Sequence, residues 1–396
     1  MKDIKLILKL AFRNLFGTGI RLWINVVVIS ISIIIVLFAR SLHAGLGRQI
    51  HDSVIRTEVS GGQLISKGFD PNDPITFEDS HRKIPDNLIE KISEGSVTPI
   101  LFCSATVYSR GIVHNVALRG IIPDQKVLEI PTENLGKVKD KRPILVGKRM
   151  LKILKLKKGD LVMIKWRDKN GAFDADEFLI SELMDKNNSR IDSNVIWLSL
   201  DILQDMFDLK GSSSLIVFKK GEDLAALKGL NRKVWDSKTS FELTQWIRDL
   251  VKAKEKGNFV IFALLVFLCC VGIFNSQILE VFKRSREIGI LMALGLRKGQ
   301  IMFLFTLEGL ITASLGIILA FFLGFPIFYW TATSGIPLDH AKDMGMPIPE
   351  RLYPYFSVEI ISFTLMAILL LTTFAAWFPT RKIASMEAAR AISGRK

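Results

Sequence analysis

The chain has 396 residues, of which 49% are hydrophobic and 23% charged, with a mean hydropathy of +0.31; it is too apolar for an ordinary soluble protein and too charged for a bundle lying wholly in lipid. A net charge of +14 is the balance of many nucleic-acid binders. Here, however, residues 1–21, 280–300 and 381–396 hold 15 Lys and Arg against 4 Asp and Glu, so most of the excess sits beside hydrophobic runs, as a membrane topology signal rather than a nucleic-acid footprint.

Residues 1–21 carry Lys2, Lys5, Lys9, Arg13 and Arg21 and are expected to form a cytoplasmic amphipathic helix. The run LWINVVVISISIIIVLFA that follows reads as an uncleaved anchor over residues 22–42: its apolar core is too long for a signal peptide, and no A-x-A site follows it. Crossing roughly 30 Å of hydrocarbon takes about 20 apolar residues. Three further segments meet that length, at 258–282, 301–330 and 355–379. Between them lie a cytoplasmic segment at 283–300 and an outer loop at 331–354, and residues 380–396 form a basic tail. Because basic residues flank the inner ends, both termini are expected in the cytoplasm. Aromatic residues mark the interfaces, with Tyr329, Trp330, Tyr353 and Tyr355 outside and Trp23 and Trp377 inside.

This topology leaves residues 43–257 as a large extracytoplasmic domain with a core of its own. The fold expected is an α-helical membrane protein with four transmembrane helices and an α+β domain inserted between helices 1 and 2. CSATVYS and HNVALRGI flank Arg110-Gly111 as a hairpin, and strand-like runs flank Asn170-Gly171. PDNLIEKI reads as a short helix, and GKRMLKILKLKKGDLVMI as a helix passing into a strand through Gly159-Asp160. Two subdomains are conceivable, although neither a linker nor a repeat separates them.

The residues offer little catalytic chemistry. A phosphate-cradling loop needs G-x-x-x-x-G-K-S/T, a serine hydrolase elbow G-x-S-x-G, and a zinc protease H-E-x-x-H; none occurs. Three cysteines and five scattered histidines give no disulfide framework and no metal-ligand spacing. Neither a catalytic nor a metal residue is assigned, and the chain is not expected to be an enzyme by itself.

The stretch KRSREIGILMALGLRKGQI, residues 283–301, is the most informative. Ile288, Leu291 and Leu294, with Ile290 beside them, make an apolar stripe, while Lys283, Arg284, Arg286, Arg297 and Lys298 are expected to hold its ends in water. A short amphipathic helix along the membrane fits, stopped at Gly295. It serves either as a solvated connector or as a docking surface for a cytoplasmic partner.

The same stretch resembles the motif of the permease family that includes lipoprotein-releasing subunits, the macrolide exporter and the cell-division permease, the type VII ABC transporters. LAFRNLFGTGIR resembles the family's amphipathic lead-in helix, FNSQILEVFKRSREIGILMALGLRKGQIMFLFTLEGL its second-to-third-span core, FPTRKIASMEAARAI its tail, and ALRGII with ILVGKRMLKILKLKKGDLVMI its outer domain. The resemblance implies a bacterial inner-membrane, multi-pass subunit working with two copies of an ABC ATPase subunit and with a second permease subunit, the same chain or a paralogue. Arg286, Glu287, Ile288, Gly289, Leu291, Leu294 and Gly295 would form the helix that docks in the ATPase. No cofactor would be bound directly, since ATP and magnesium would sit in the partner. A large outer domain with no fused ATPase resembles the lipoprotein-releasing members, which implies membrane lipids, lipoprotein cargo and a periplasmic carrier as further partners. REIGILMALG departs toward the exporter version of the motif. Export of a peptide, a macrolide-like compound or a lipid is therefore the alternative, and a mechanical regulator of an outer partner the third.

Asn25, Ser30 and Ser32 on the first span and Asn275, Ser276 and Gln277 on the second are polar groups that avoid lipid tails. Of these, Asn25, Ser30, Asn275 and Gln277 are candidates for a substrate or dimer cleft, with bonding between neighbouring helices as the plainer reading. Gly309, Ala313, Gly316, Ala320 and Gly324 recur every three or four residues, a small-residue face for close helix packing. Glu308, an acid within the third span, suits helix packing or an interfacial position better than a proton relay.

Overall fold

The computed structural model describes residues 10–15, 17, 19–136, 142–184, 194–222, 233–284, 287, 289–290, 292, 295–338 and 351–384. The chain separates into two compact units, one of Met1–Leu46, Lys252–Ile336 and Arg351–Lys396, the other of Gly47–Val251 and Pro337–Glu350.

Four long helices supply the first unit: α1 (Ile20–Val54), α2 (Gln245–Lys283), α3 (Lys298–Ser334) and α4 (Val358–Ala384). Among the described residues, three helices are long and apolar enough to cross a membrane, over Leu22–Val59, Lys298–Ser334 and Val358–Phe378. The segment expected as the second span lies within α2, which begins well before it, at Gln245. The polar sequence QWIRDLVKAKEK hid that start, because only Ile247 and Val251 of its apolar residues pack inward, against Ile50 and Val54 of α1. Likewise α1 outruns the apolar run of residues 22–39 by about four turns, since a helix follows its backbone hydrogen bonds and not its hydropathy.

Packing in this unit is apolar within and apolar without. Ile29, Ile33, Leu37, Ala320, Ile368 and Ala375 are buried together, while Phe321, Phe322, Phe325 and Leu370 are exposed. Contiguous exposed apolar surface of this kind suits a lipid surround and not water. The N-terminal segment joins the bundle through one face: Ala11 packs against Leu304, and Leu15 with Leu22 and Val26 against Ile311 and Leu315. Phe12 and Arg13 face outward, the one-sided burial of an amphipathic helix.

The second unit is built on a nine-stranded sheet. Its strands are β1 (Gly62–Ser66), β2 (Val97–Ser109), β3 (Ile112–Ile121), β4 (Arg142–Gly147), β5 (Leu161–Arg167), β6 (Phe173–Met184), β7 (Val195–Ser199), β8 (Leu215–Phe218) and β9 (Trp235–Thr239). Their order is β9-β1-β8-β2-β3-β7-β4-β6-β5, and β5 also pairs with β2. Strand β2 makes this possible by its length. Its first residues pair with β8, Val97 opposite Phe218, and its later ones with β5, Tyr108 opposite Met163. Six strands thereby close into a ring, β2-β3-β7-β4-β6-β5, so one sheet runs through the whole unit where two subdomains were conceivable.

Both expected hairpins form. Arg110 and Gly111 have φ of 46° and 80°, the doubly left-handed turn that lets two twisted strands meet directly. At the other, Gly171 has φ of 86°, and the Asp168 carboxylate accepts from the amides of Asn170 and Ala172. Period-2 alternation divides the core: Leu101, Cys103, Ala105 and Val107 of β2 enter one cluster, and Ile100 and Phe102 another. Helix Lys148–Leu154 covers the first cluster with Met150, Leu151 and Leu154 and stops at Lys155, in the left-handed region at φ 54°.

Candidate functional site

The candidate site is the junction between α2 and α3, and it lies wholly in the first unit. Among its described residues, Glu287, Gly289, Ile290 and Met292 are helical, and Gly295 closes the segment at φ 96°, with its amide donating to the Met292 carbonyl at 3.1 Å. A left-handed glycine is the expected stop for a short helix. Two residues later the chain re-enters a helix. The Arg297 amide donates to Gln300 Oε1 at 2.9 Å, and α3 begins at Lys298. Met292 and Leu296 pack on Ile301 and Phe305, fixing the segment to the first turns of α3.

Of the residues expected to contact an ATPase, Glu287 is exposed, Gly289 is buried and Gly295 is exposed. Arg286, Ile288, Leu291 and Leu294 lie outside the described residues. Ile290, beside the expected stripe, stands half exposed.

One expectation is corrected. Arg284 was to hold its end of the segment in water; instead its side chain is 12% exposed and forms an ion pair with Glu308, itself 6% exposed, at 2.7 Å. The guanidinium lies 4.9 Å from the Phe305 ring centroid and also reaches Glu287, 64% exposed, at 2.9 Å. Asn14 Nδ2 donates to the other Glu308 oxygen at 3.3 Å. The reason is electrostatic. A carboxylate about 15 Å into a helix from its start is costly unless a cation reaches it, and Arg284 has the length and the planar fork to do so, while Lys283 stays exposed. Glu308 is thus a tie among the N-terminal segment, the segment between α2 and α3, and α3 itself. Sequence reasoning singled out Glu308 but missed both partners, which lie 24 and 294 positions away. The available signal was that a buried acid demands a nearby base.

The small-residue face is divided between two neighbours. A Cβ on Gly309 would lie 2.5 Å from the Cβ of Ala376 in α4, and one on Gly316 2.6 Å from Ile29 Cγ2 in α1. Ala313 and Ala320 are buried between them. The cleft candidates do not share one environment: Asn25 is half-buried, Ser30 is fully buried with no hydrogen-bond partner for its hydroxyl, and Asn275 is exposed. Gln277 lies on α2, its side chain outside the description. A further cation escaped the sequence reading. Arg40 of α1 donates to Thr364 Oγ1 at 3.0 Å and sits 4.9 and 5.0 Å from the Phe262 and Phe363 rings, joining α1, α2 and α4.

In the second unit, one pair has the makings of nucleophile and base. Cys103 Sγ lies 3.8 Å from His81 Nε2, but that nitrogen is 3.0 Å from the Phe102 carbonyl, which can only accept, so Nε2 carries the proton. Burial also pushes the Cys103 thiol well above its ordinary range and lowers His81. A neutral thiol beside a nitrogen already donating is inert, and the pair is a packing contact.

Comparison with known proteins matches residues 259–388 to the FtsX-like permease C-terminal family model. An uncharacterised ABC transporter permease of Methanocaldococcus jannaschii is 27% identical over 185 residues, which cover 42% of this chain and 44% of that protein. The match therefore spans less than half of that relative. Among solved structures, the periplasmic region of MacB from Actinobacillus actinomycetemcomitans superposes with a TM-score of 0.32 at 14% identity, over 52% of this chain and 95% of that one. The extracellular domain of the ABC-type transporter YknZ from Gram-positive bacteria gives 0.26 at 14%, over 40% and 84%. The family model carries the comparison, and it takes in most of α2, all of α3 and α4 and the junction around Arg284 and Glu308. Residues 259–388 are thus similar to the C-terminal domain of FtsX-like permeases.

Proposed function

We propose that this chain is the membrane subunit of an ABC transporter, set in a bacterial inner membrane with both termini in the cytoplasm and driven by a separate ATPase that holds ATP and magnesium. The observation that carries the reading is the FtsX-like permease match across residues 259–388, which contains the segment of residues 286–295. Two ATPase copies would receive this segment from two permease subunits, identical or paralogous, since either arrangement builds a two-fold assembly. Glu287, exposed beside the buried Arg284–Glu308 pair, would meet the ATPase, while that pair passes displacement of the segment to α3 and to the N-terminal segment. A buried, hydrogen-bonded pair suits such a task because it moves as one body.

The cargo we favour is a lipoprotein extracted from the membrane and handed to a periplasmic carrier, with Asn25, Ser30, Asn275 and Gln277 bordering the path. Export of a peptide, macrolide-like compound or lipid is the second reading, favoured by the REIGILMALG form of the segment. Purification through a C-terminal tag in mild detergent, followed by mass spectrometry of co-purifying proteins and lipids, tests both. An ATPase with acylated lipoproteins is the expected result. An ATPase without them moves the assignment to export, and recovery with no ATPase breaks the permease reading.

A further inference from the structure

A groove of about 1000 Å³ runs over β2, β3 and β5 of the second unit and reaches the turn between β5 and β6. That volume is at the upper end of small-molecule sites, about 300–1,000 Å³. Strand register assembles its floor. Thr106 of β2 stands opposite Asn115 of β3 and Lys165 of β5, and its hydroxyl donates to Asn115 Oδ1 at 3.2 Å. Ser104 and Tyr108 flank Thr106 at a period of two and so share its face. Arg167, two positions beyond Lys165, stands opposite Phe173 of β6, which puts Phe173 on that face as well.

Two of the rings lining this groove are left open. Phe173 is 69% exposed and Tyr108 41%. The Lys165 ammonium lies 4.8 Å from the Phe173 ring centroid, which steadies the ring without covering it. Four residues along and two strands across, the two aromatic residues stand about 16 Å apart. Aromatic surface exposed within a polar groove favours a ligand that has an apolar face. Charge selects neither sign. The carboxylates of Glu78, Asp79 and Asp168 line the groove against Arg119, Lys165 and Arg167, while a fourth lining cation, Lys169, is paired with Asp208 at 2.6 Å. Ser104, Thr106, Asn115 and Asn194 add neutral donors and acceptors. A wholly apolar ligand would strip water from these groups and return no hydrogen bond. A sugar ring meets both conditions, with C–H groups on its faces and hydroxyls, which donate and accept, around its edge.

We propose that this groove binds a neutral oligosaccharide, its rings stacked on Tyr108 and Phe173 and its polar edges bonded to Thr106 and Asn115. The separation of the two aromatic residues calls for several linked sugars and not one. The inference does not depend on the permease reading. Tetra-N-acetylchitotetraose and cellotetraose are the probes, titrated into the full-length protein in nanodiscs and followed by saturation-transfer NMR, with tetra-alanine and empty nanodiscs as controls. The expected result is saturable binding of at least one saccharide that weakens by about tenfold or more in Phe173→Ser, in Tyr108→Ser and in Ser104→Trp, the last crowding the floor while leaving both rings in place. Ile89→Ser, an exposed apolar residue outside the groove, should bind as the wild type does, and tetra-alanine should give only the empty-disc signal. If neither saccharide exceeds the empty-disc signal, the groove holds water alone and the proposal fails. It fails equally if tetra-alanine binds as well as the saccharides, if Ile89→Ser weakens binding as much as the ring variants do, or if any groove variant, monodisperse and folded by circular dichroism, binds as the wild type does.

Discussion

Among the described residues, Arg284 of the first unit and Arg119 of the second are both largely withdrawn from solvent, and their surroundings differ. Arg284 lies against a carboxylate, with an aromatic ring beside it. Arg119 lies between two aromatic rings on an otherwise apolar sheet face. The first arrangement trades desolvation of two charges against a strong mutual attraction and so depends on both partners remaining in place. The second includes contact with two aromatic faces, so the loss of either face leaves the other in place.

The comparison breaks most readily at Glu308. Glu308→Leu leaves Arg284 buried without its counter-charge and should destabilise the first unit by about 3–5 kcal/mol, read as a large fall in the thermal midpoint in detergent. Adding Arg284→Met should recover most of that loss. If the single change costs nothing, the pair is not a tie. Next in size is packing around the same helix. Gly309→Val drives atoms into Ala376, and should cost about 1–3 kcal/mol by the same measurement, whereas the exposed Gly295 has no neighbour within 4 Å and would suffer only from its φ. Arg119→Met sharpens the contrast from the other side. Losing contacts to two rings should cost about 1–2 kcal/mol, less than the loss at Glu308.

The smallest effect expected is pH dependence in the second unit. Burial lowers the pKa of His81 below its ordinary 6.5, opposed by the bond to Phe102. The unfolded chain therefore binds a proton that the folded chain refuses in the window between that lowered value and 6.5. The contribution of His81 is full above 6.5 and declines as pH falls through that window. Thermal melts from pH 7.5 to 5 should show wild type losing stability relative to His81→Gln, and parallel curves would remove His81 from the account.

Much of this was legible in the sequence where the controlling interactions are local. The Arg110-Gly111 and Asn170-Gly171 turns announce themselves because left-handed backbone selects few residues, and the apolar runs of α1, α3 and α4 follow from composition alone. The small-residue spacing of α3 pointed to a packing face, although not to its division between Ala376 and Ile29. What stayed hidden is long-range. Nothing in the thirteen residues of β2 says that its two halves pair with different strands. The polar start of α2 has no amphipathic signal until α1 lies beside it. Arg284 looks like any flanking base until Glu308 is seen within reach, and Arg119 like a surface residue of a hairpin.

Closing six strands on themselves also limits the backbone edge that the described sheet exposes. Among the described residues, the sheet runs out only at β9, whose far side has no neighbouring strand. That strand is short, and after Trp235 it presents Asp236, Ser237, Lys238 and Thr239, all exposed. A brief, charged margin is a poor template for a foreign strand. With six strands closed on one another, the described nine-stranded sheet has this one short strand as its margin.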